Sequence, residues 1–493
     1  MLINRKFVFT AAVALALGVS SCKKFNNVNT NPNVSQNATV QTLLPAAELY
    51  VGSGVGVDLQ IAGSIWSQYW TQTPAGNQYI ALEQFNPGQD QAASGWTNLY
   101  AGAENLFQLS QLADSLHKKS YQAIALILEA YTFQVITDGW GNAPYKQALQ
   151  GQYVYGHKIN PQYDSQIVIY NGIINFLDSA NKLLKAGGGA PTTDDLIYGG
   201  DMGKWQRFAN TLRLKVLLRE IYIDPTGATK KIDTMYDGSP AFMGAGDDAK
   251  ITYGANLGNK NPLYAEESSV QLGSVQNFAG SKTCIDSMNN NGDPRVRVFY
   301  EATSGGNYTG LTQGTYNIPA AAGSYSIPGT AVAGDGQNAA SANAPVILIS
   351  SWESFFLQAE AGARGLGAAA GNDNANFASG IQASFTYYNI AGSYPAYINS
   401  GATWTVYPAG GTLAQKLRAI ITQKWFAMCG NQGFEAWAEY RRTGYPDFLV
   451  QPASSVIGGQ RPERLLYPTS ESTSNAGFPG LQPVTTRVWW DIN

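Results

Sequence analysis

The chain has 493 residues, enough for one large core or several smaller ones, and a net charge of only −3. Charged residues make up 13% of it, about half the usual ~25%, so no strong field exists to draw nucleic acid or anionic lipid. Its two histidines, His117 and His157, argue against a His-rich metal centre or a multi-histidine acid–base site.

Residues 1–21 read as a secretory signal. Arg5 and Lys6 precede an apolar run from Phe7 to Val19, shorter than the roughly 20 residues that span a bilayer. Ser20-Ser21-Cys22 fits a bacterial lipobox. On that pattern Cys22 begins the mature chain, its thiol taking a diacylglyceryl group and its amine a further palmitate-type chain, which together anchor stably. Plain secretion, with Cys22 removed or free, is the alternative. Residues 22–36, rich in Asn with one Pro, read as an extended tether.

From Val40 onward, apolar residues recur at helical spacing. Leu43–Tyr50, Leu59–Trp70, Trp96–Leu109, Ile124–Val135, Ile167–Leu184 and Trp205–Leu217 predict six helices, the fifth stopping before Gly187. Periodicity fades after Ile232, except for a short helix around Gln276–Met288. Residues 301–345 are mostly Gly, Ala, Ser and Asn, and a loop that long is functional or disordered. Helices return at Trp352–Arg364, Phe377–Tyr388, Leu413–Cys429 and Phe434–Arg441. The expected fold is mainly α: one domain over 37–493, with tetratricopeptide-like helical pairs forming a scaffold (37–224 and 346–445). A loop-rich insert (225–345) and an irregular end (446–493) complete it. No fixed period of about 34 residues is present.

Enzyme signatures are absent: no Gly-x-Ser-x-Gly, no P-loop and no His-Glu-x-x-His. Gly54-Val-Gly56 and Gly199-Gly200 follow no strand and read as turns or close contacts. Glu435 and Glu439 could mimic a glycosidase carboxylate pair, but Arg441 and Arg442 follow at once and favour ion pairing. Arg213 and Glu360, also within apolar helices, read as internally paired charges. Asp247 and Asp248 could serve Ca²⁺, although turn chemistry also explains them. Cys284 and Cys429 are either free buried thiols or a disulfide, and sequence does not decide between them.

Several motifs occur in order: Asn29-Thr-Asn-Pro-Asn33, Asp138-Gly-Trp-Gly-Asn-Ala-Pro-Tyr145, Pro161–Gln166, Trp205–Arg213 and Asp293-Pro-Arg295. Phe356–Ala361, Gln423-Lys-Trp425, Phe434–Pro446 and Arg464–Pro468 with Glu471 and Asn475 follow. Gly141 and Pro144 suit the end of a helix. As an ordered set, these pieces resemble the SusD/RagB family of outer-membrane nutrient-binding lipoproteins of Bacteroidetes. The resemblance implies a non-catalytic protein without cofactor. It also implies a lipid anchor on the outer membrane facing outward, and a SusC-like TonB-dependent transporter as partner, lidded by this chain. Lys23 and Lys24 stand where that pattern commonly has acidic export residues.

The resemblance places recognition on loops, and a neutral surface rich in amides and aromatics suits glycan or another uncharged oligomer. Two loops supply the expected ligand-binding residues. The first offers Trp70, Gln72, Asn77, Gln78 and Tyr79, with Pro74 and Gly76 breaking the helix to expose them. The second offers Tyr308, Tyr316 and Tyr325. Trp404 and Tyr407 form a third group, while Trp66 and Trp96 fall on core faces. A surface glycan hydrolase and a helical scaffold without small ligand are the competing readings.

Overall fold

The computed structural model describes residues 38–151, 156–256, 258–269 and 271–493, and the expected signal, Cys22 and tether lie outside them. The amphipathic stretches form helices: α1 (Val40–Gly56), α2 (Asp58–Trp66), α3 (Ala93–Ser115), α4 (Lys119–Trp140), α5 (Gln166–Ala186) and α6 (Met202–Glu220). Then come α7 (Pro225–Asp237), α8 (Lys282–Asn290), α9 (Ser351–Ala363), α10 (Asp373–Tyr387), α11 (Leu413–Ala427) and α12 (Gly433–Thr443). Local chemistry sets their ends. Asp201 caps α6 through the Lys204 amide, and Thr412 and Gln415 form a capping box on α11. Gly187 at φ +65 stops α5, and Gly444 at φ +74 stops α12.

Helices pack as pairs: α1 on α3, α3 on α4, α4 on α5, and α9 on α10, with α12 laid against α2. No helix among the described residues is long and apolar enough to cross a membrane. Two predicted helices are partly strand. Trp70–Gln72 (β1) leaves the second helix at Trp66 and pairs antiparallel with Phe278–Gly280 (β2), so the helix expected from Gln276 begins at Lys282. The cause is a pairing between segments about 200 residues apart, which local periodicity does not register.

Many of the sparse charges lie inside, in paired clusters. Lys215 Nζ lies 3.1 Å from Glu353 and 2.9 Å from Glu435. Arg219 reaches Asp138, Glu435 and Glu439, and Lys424 sits 3.3 Å from Glu439. Arg442 bridges Glu439 and Glu360, and Arg364 also pairs with Glu360. All but Arg364 are nearly inaccessible to water. Burial pushes the Glu439 carboxyl up, but Arg442, Lys424 and Arg219 outweigh it and hold its pKa well below the ordinary value. The expected pairing of Glu435 and Glu439 is therefore present, with one correction. Arg441 is not their partner. It stacks 3.5 Å from the Trp437 ring centroid and donates to the Glu463 and Asp138 carbonyls. Desolvation lowers its pKa to about 10. Arg213 pairs with Asp178, although that pair is part-exposed.

The sequence motifs are joints of this scaffold. Asp138 accepts from Trp490 Nε1, Tyr170 Oη, Gln134 and Arg219. Gly141, at φ +87, turns the chain where a Cβ would come 2.7 Å from the Arg464 guanidinium. Arg295 forks onto Asp293, donates to Gln423 and lies 5.1 Å from the Phe385 ring. Joints also connect distant parts of the chain: the Tyr69 hydroxyl donates to the Trp425 carbonyl, 356 positions later. The Asp247 carboxylate is taken by Arg207 and the Gly244 amide, the turn chemistry foreseen for that loop.

Gly63 marks a close helix contact. A Cβ there would stand 2.3 Å from backbone atoms of Gly433 and Phe434. Gly63→Ala is expected to lower stability by about 1–3 kcal/mol, because α2 and α12 must separate. Gly88→Ala, facing open space, should be neutral or slightly stabilising. Thermal unfolding of the two variants side by side checks this.

Candidate ligand-binding surface

The first predicted loop is largely interior. Pairing of β1 with β2 buries Trp70 and Gln72 completely and leaves Tyr79 only 4% exposed. The Phe278 ring lies 4.9 Å from the Trp70 indole and stacks on Tyr79 at the same separation. Gln72 spends its side chain locally: its Oε1 accepts from the Tyr79 amide, and its Nε2 donates to the Thr73 and Asn277 carbonyls. The Tyr79 hydroxyl donates to Glu267. The expectation that Pro74 and Gly76 expose Gln72 and Tyr79 is thus corrected. Trp70, Gln72 and Tyr79 form the floor, and of the five expected ligand residues only Asn77 and Gln78 reach solvent.

Beneath that floor sits Glu83, fully enclosed. It accepts from the Gln72 amide at 2.8 Å and from Gln313 Nε2 at 3.0 Å. Burial outweighs these hydrogen bonds and raises its pKa to about 7. Gln313 also donates to the Trp70 carbonyl, so the second loop hangs on the first.

Residues 301–345 are cross-braced by backbone hydrogen bonds. Ser304 donates to Gly323, Ser326 to Thr309, Glu301 to Ile327 and Lys282 to Leu311. This bracing takes Tyr325 into the interior, 7% exposed, which removes it as a ligand platform. Tyr308 and Tyr316 remain half-exposed. The Tyr316 hydroxyl accepts from Gln84 Nε2 at 2.9 Å, and the Gln84 carbonyl accepts from the Val456 amide. Tyr316 is thereby set against the irregular end of the chain.

That end builds the feature that sequence reading missed. A groove of about 550 Å³ opens between Asn86-Pro87 and the segments at Ile457–Gln460 and Leu481–Thr485. Its polar groups are the amides Asn86, Gln460 and Gln482 with Thr485, and no charged side chain among the described residues lines it. Two grooves of similar size differ. One between α5 and α6 holds Asp178, Lys182, Lys185 and Arg213. The other, on α7, holds Lys230, Asp233 and Asp237. Seating a neutral hydroxylated ligand there means stripping water from ions, whereas the amide groove exchanges like for like. Weak signals were present in the sequence: amides beside prolines in an irregular, apolar-tinged segment.

Trp404 and Tyr407 are engaged within the protein. The Arg418 guanidinium covers Trp404 at 4.8 Å, and the Tyr407 hydroxyl donates to Asp373. Trp66 and Trp96 are core, as expected.

A sequence profile described as starch-binding, associating with the outer membrane, matches residues 32–468. No curated protein matches the sequence. A chitin-binding SusD homolog from Flavobacterium johnsoniae shares 24% identity over 91% of this chain and 99% of its own, with a TM-score of 0.75. A SusD homolog from Bacteroides vulgatus shares 23% over 88% and 92%, with a TM-score of 0.73. One from Bacteroides thetaiotaomicron shares 21% over 93% and 100%, also at 0.73. This chain belongs to the SusD-like family, non-catalytic carbohydrate-binding proteins associated with the outer membrane.

Proposed function

We propose that the protein captures a neutral oligosaccharide in the groove beside Tyr316 and hands it to a SusC-like TonB-dependent transporter. Lipid on Cys22 would hold it at the outward face of the membrane. The amide-lined groove carries this reading; Tyr316, tied through Gln84 to the Val456 amide next to groove-lining Ile457, is the candidate ring, and Asn77, Gln78 and Tyr308 are further solvent-facing candidates. The hydrolase reading loses its carboxylates, since Glu435 and Glu439 are buried and paired with cations. The Flavobacterium homolog is named as chitin-binding, so chito-oligosaccharides lead the test panel, followed by malto-oligosaccharides, acidic oligosaccharides and peptides.

One ring stack contributes about 0.5–1.5 kcal/mol beyond area burial. Tyr316→Ala is therefore expected to weaken binding of the preferred neutral glycan about three- to tenfold by calorimetry, with an unchanged unfolding midpoint. Undiminished affinity in Tyr316→Ala would reject this placement. Release of shortened product would reject the non-catalytic reading, and binding of nothing on the panel would favour the scaffold reading. Purification from membranes together with a large β-barrel tests the transporter.

A further inference from the structure

Cys284, on α8, and Cys429, just after α11, are 145 positions apart, and their sulfurs meet at 3.8 Å. They are the only cysteines among the described residues, and neither is exposed. The fold thus brings together two thiols that no local motif links. A family associated with the outer membrane folds beyond the reducing cytoplasm, where such pairs oxidise. We infer that Cys284 and Cys429 are joined by a disulfide as the exported chain folds, fastening the loop-rich insert to the end of α11.

Bond formation needs the sulfurs to approach by about 1.8 Å, to the ordinary 2.03–2.05 Å separation, a distance two side-chain rotations can share. The Tyr300 hydroxyl lies 3.2 Å from Cys429 Sγ and keeps its bond to the Tyr69 carbonyl, and the Arg295 guanidinium also acts on Cys429. The chemistry is thiol–disulfide exchange. One cysteine, as thiolate, attacks a disulfide oxidant such as oxidised glutathione, and one sulfur of that oxidant leaves. The second cysteine then displaces the other. The two thiol protons end on the two leaving glutathione thiolates and two electrons pass to the oxidant, so two thiols are formed for the two consumed and no net proton is released.

Timing follows from burial. Once folded, no oxidant reaches either sulfur. Burial, with the adjacent Cys284, also pushes the Cys429 thiol well above its ordinary pKa and disfavours its thiolate. Oxidation therefore precedes closure of the core. The cross-link fixes the base of the loop that carries Tyr316, because Lys282 on the same helix donates to Leu311.

The test uses the full chain exported from a host with an oxidising periplasm, alkylated in denaturant without reductant and digested with trypsin. The expected product is one cross-linked species joining peptide Thr283–Arg295 to peptide Trp425–Arg441, split by reductant. Recovery of both peptides singly alkylated would overturn the inference. A second arm refolds fully reduced chain from urea in a glutathione redox buffer. The cross-link should form during refolding but not when the same buffer is added to folded, reduced protein. Absence of the cross-link from both refolded and exported chain overturns it too.

Discussion

Arg219→Met is expected to abolish stable folding. The guanidinium is 1% exposed and serves three buried carboxylates, Asp138, Glu435 and Glu439. Methionine fills much of the volume but supplies no charge. Asp138 would then keep only neutral donors, from Trp490, Tyr170 and Gln134, and Glu435 and Glu439 would share Lys215, Lys424 and Arg442. Breaking one buried pair costs about 3–5 kcal/mol, because the leftover charge stays desolvated. Total stability is about 5–15 kcal/mol, so a multiple break uses most of it. Arg213→Met is the contrast. Its pair with Asp178 is part-exposed, and loss there should stay near 1 kcal/mol or less. Denaturant melts of both variants decide the matter, and an Arg219→Met midpoint equal to wild type would contradict this account.

Trp70→Ala is expected to lower stability by about 3–5 kcal/mol, a core truncation rather than loss of a ligand contact. The indole is fully buried on β1, with Phe278 beside it and the Gly334 backbone behind it. Removing it opens a void under both loops. Its indole nitrogen has no hydrogen-bond partner among the described residues, so Trp70→Phe keeps most of the packing and drops an unsatisfied donor. That variant should stay within about 1.5 kcal/mol of wild type. Equilibrium unfolding is the measurement. If Trp70→Ala melts like wild type yet loses glycan affinity, the indole faces the ligand after all.

The contrast between these residues and Tyr316 shows what a sequence can and cannot disclose. Helices built on local spacing, such as α3 and α5, were visible because three or four residues suffice to define a face. Internal pairing of Glu435 and Glu439 was also visible, since charges in apolar helices of a charge-poor chain have few other options. The fate of Trp70, Gln72 and Tyr79 was hidden, because it depends on a strand supplied by Phe278–Gly280. The groove was hidden for the same reason. Asn86, Gln460 and Gln482 lie in segments without periodicity, and only the folded chain brings them to one place.

The bond from Tyr69 to the Trp425 carbonyl carries a consequence for biogenesis. A ribosome adding about 5–20 residues per second needs about 20–70 s to travel from one of these residues to the other. For all of that interval α2 and the chain that follows it lack α11 and α12, against which they finally pack. A nascent chain that cannot finish its interior stays threadable, which is the condition a translocon demands of its passengers.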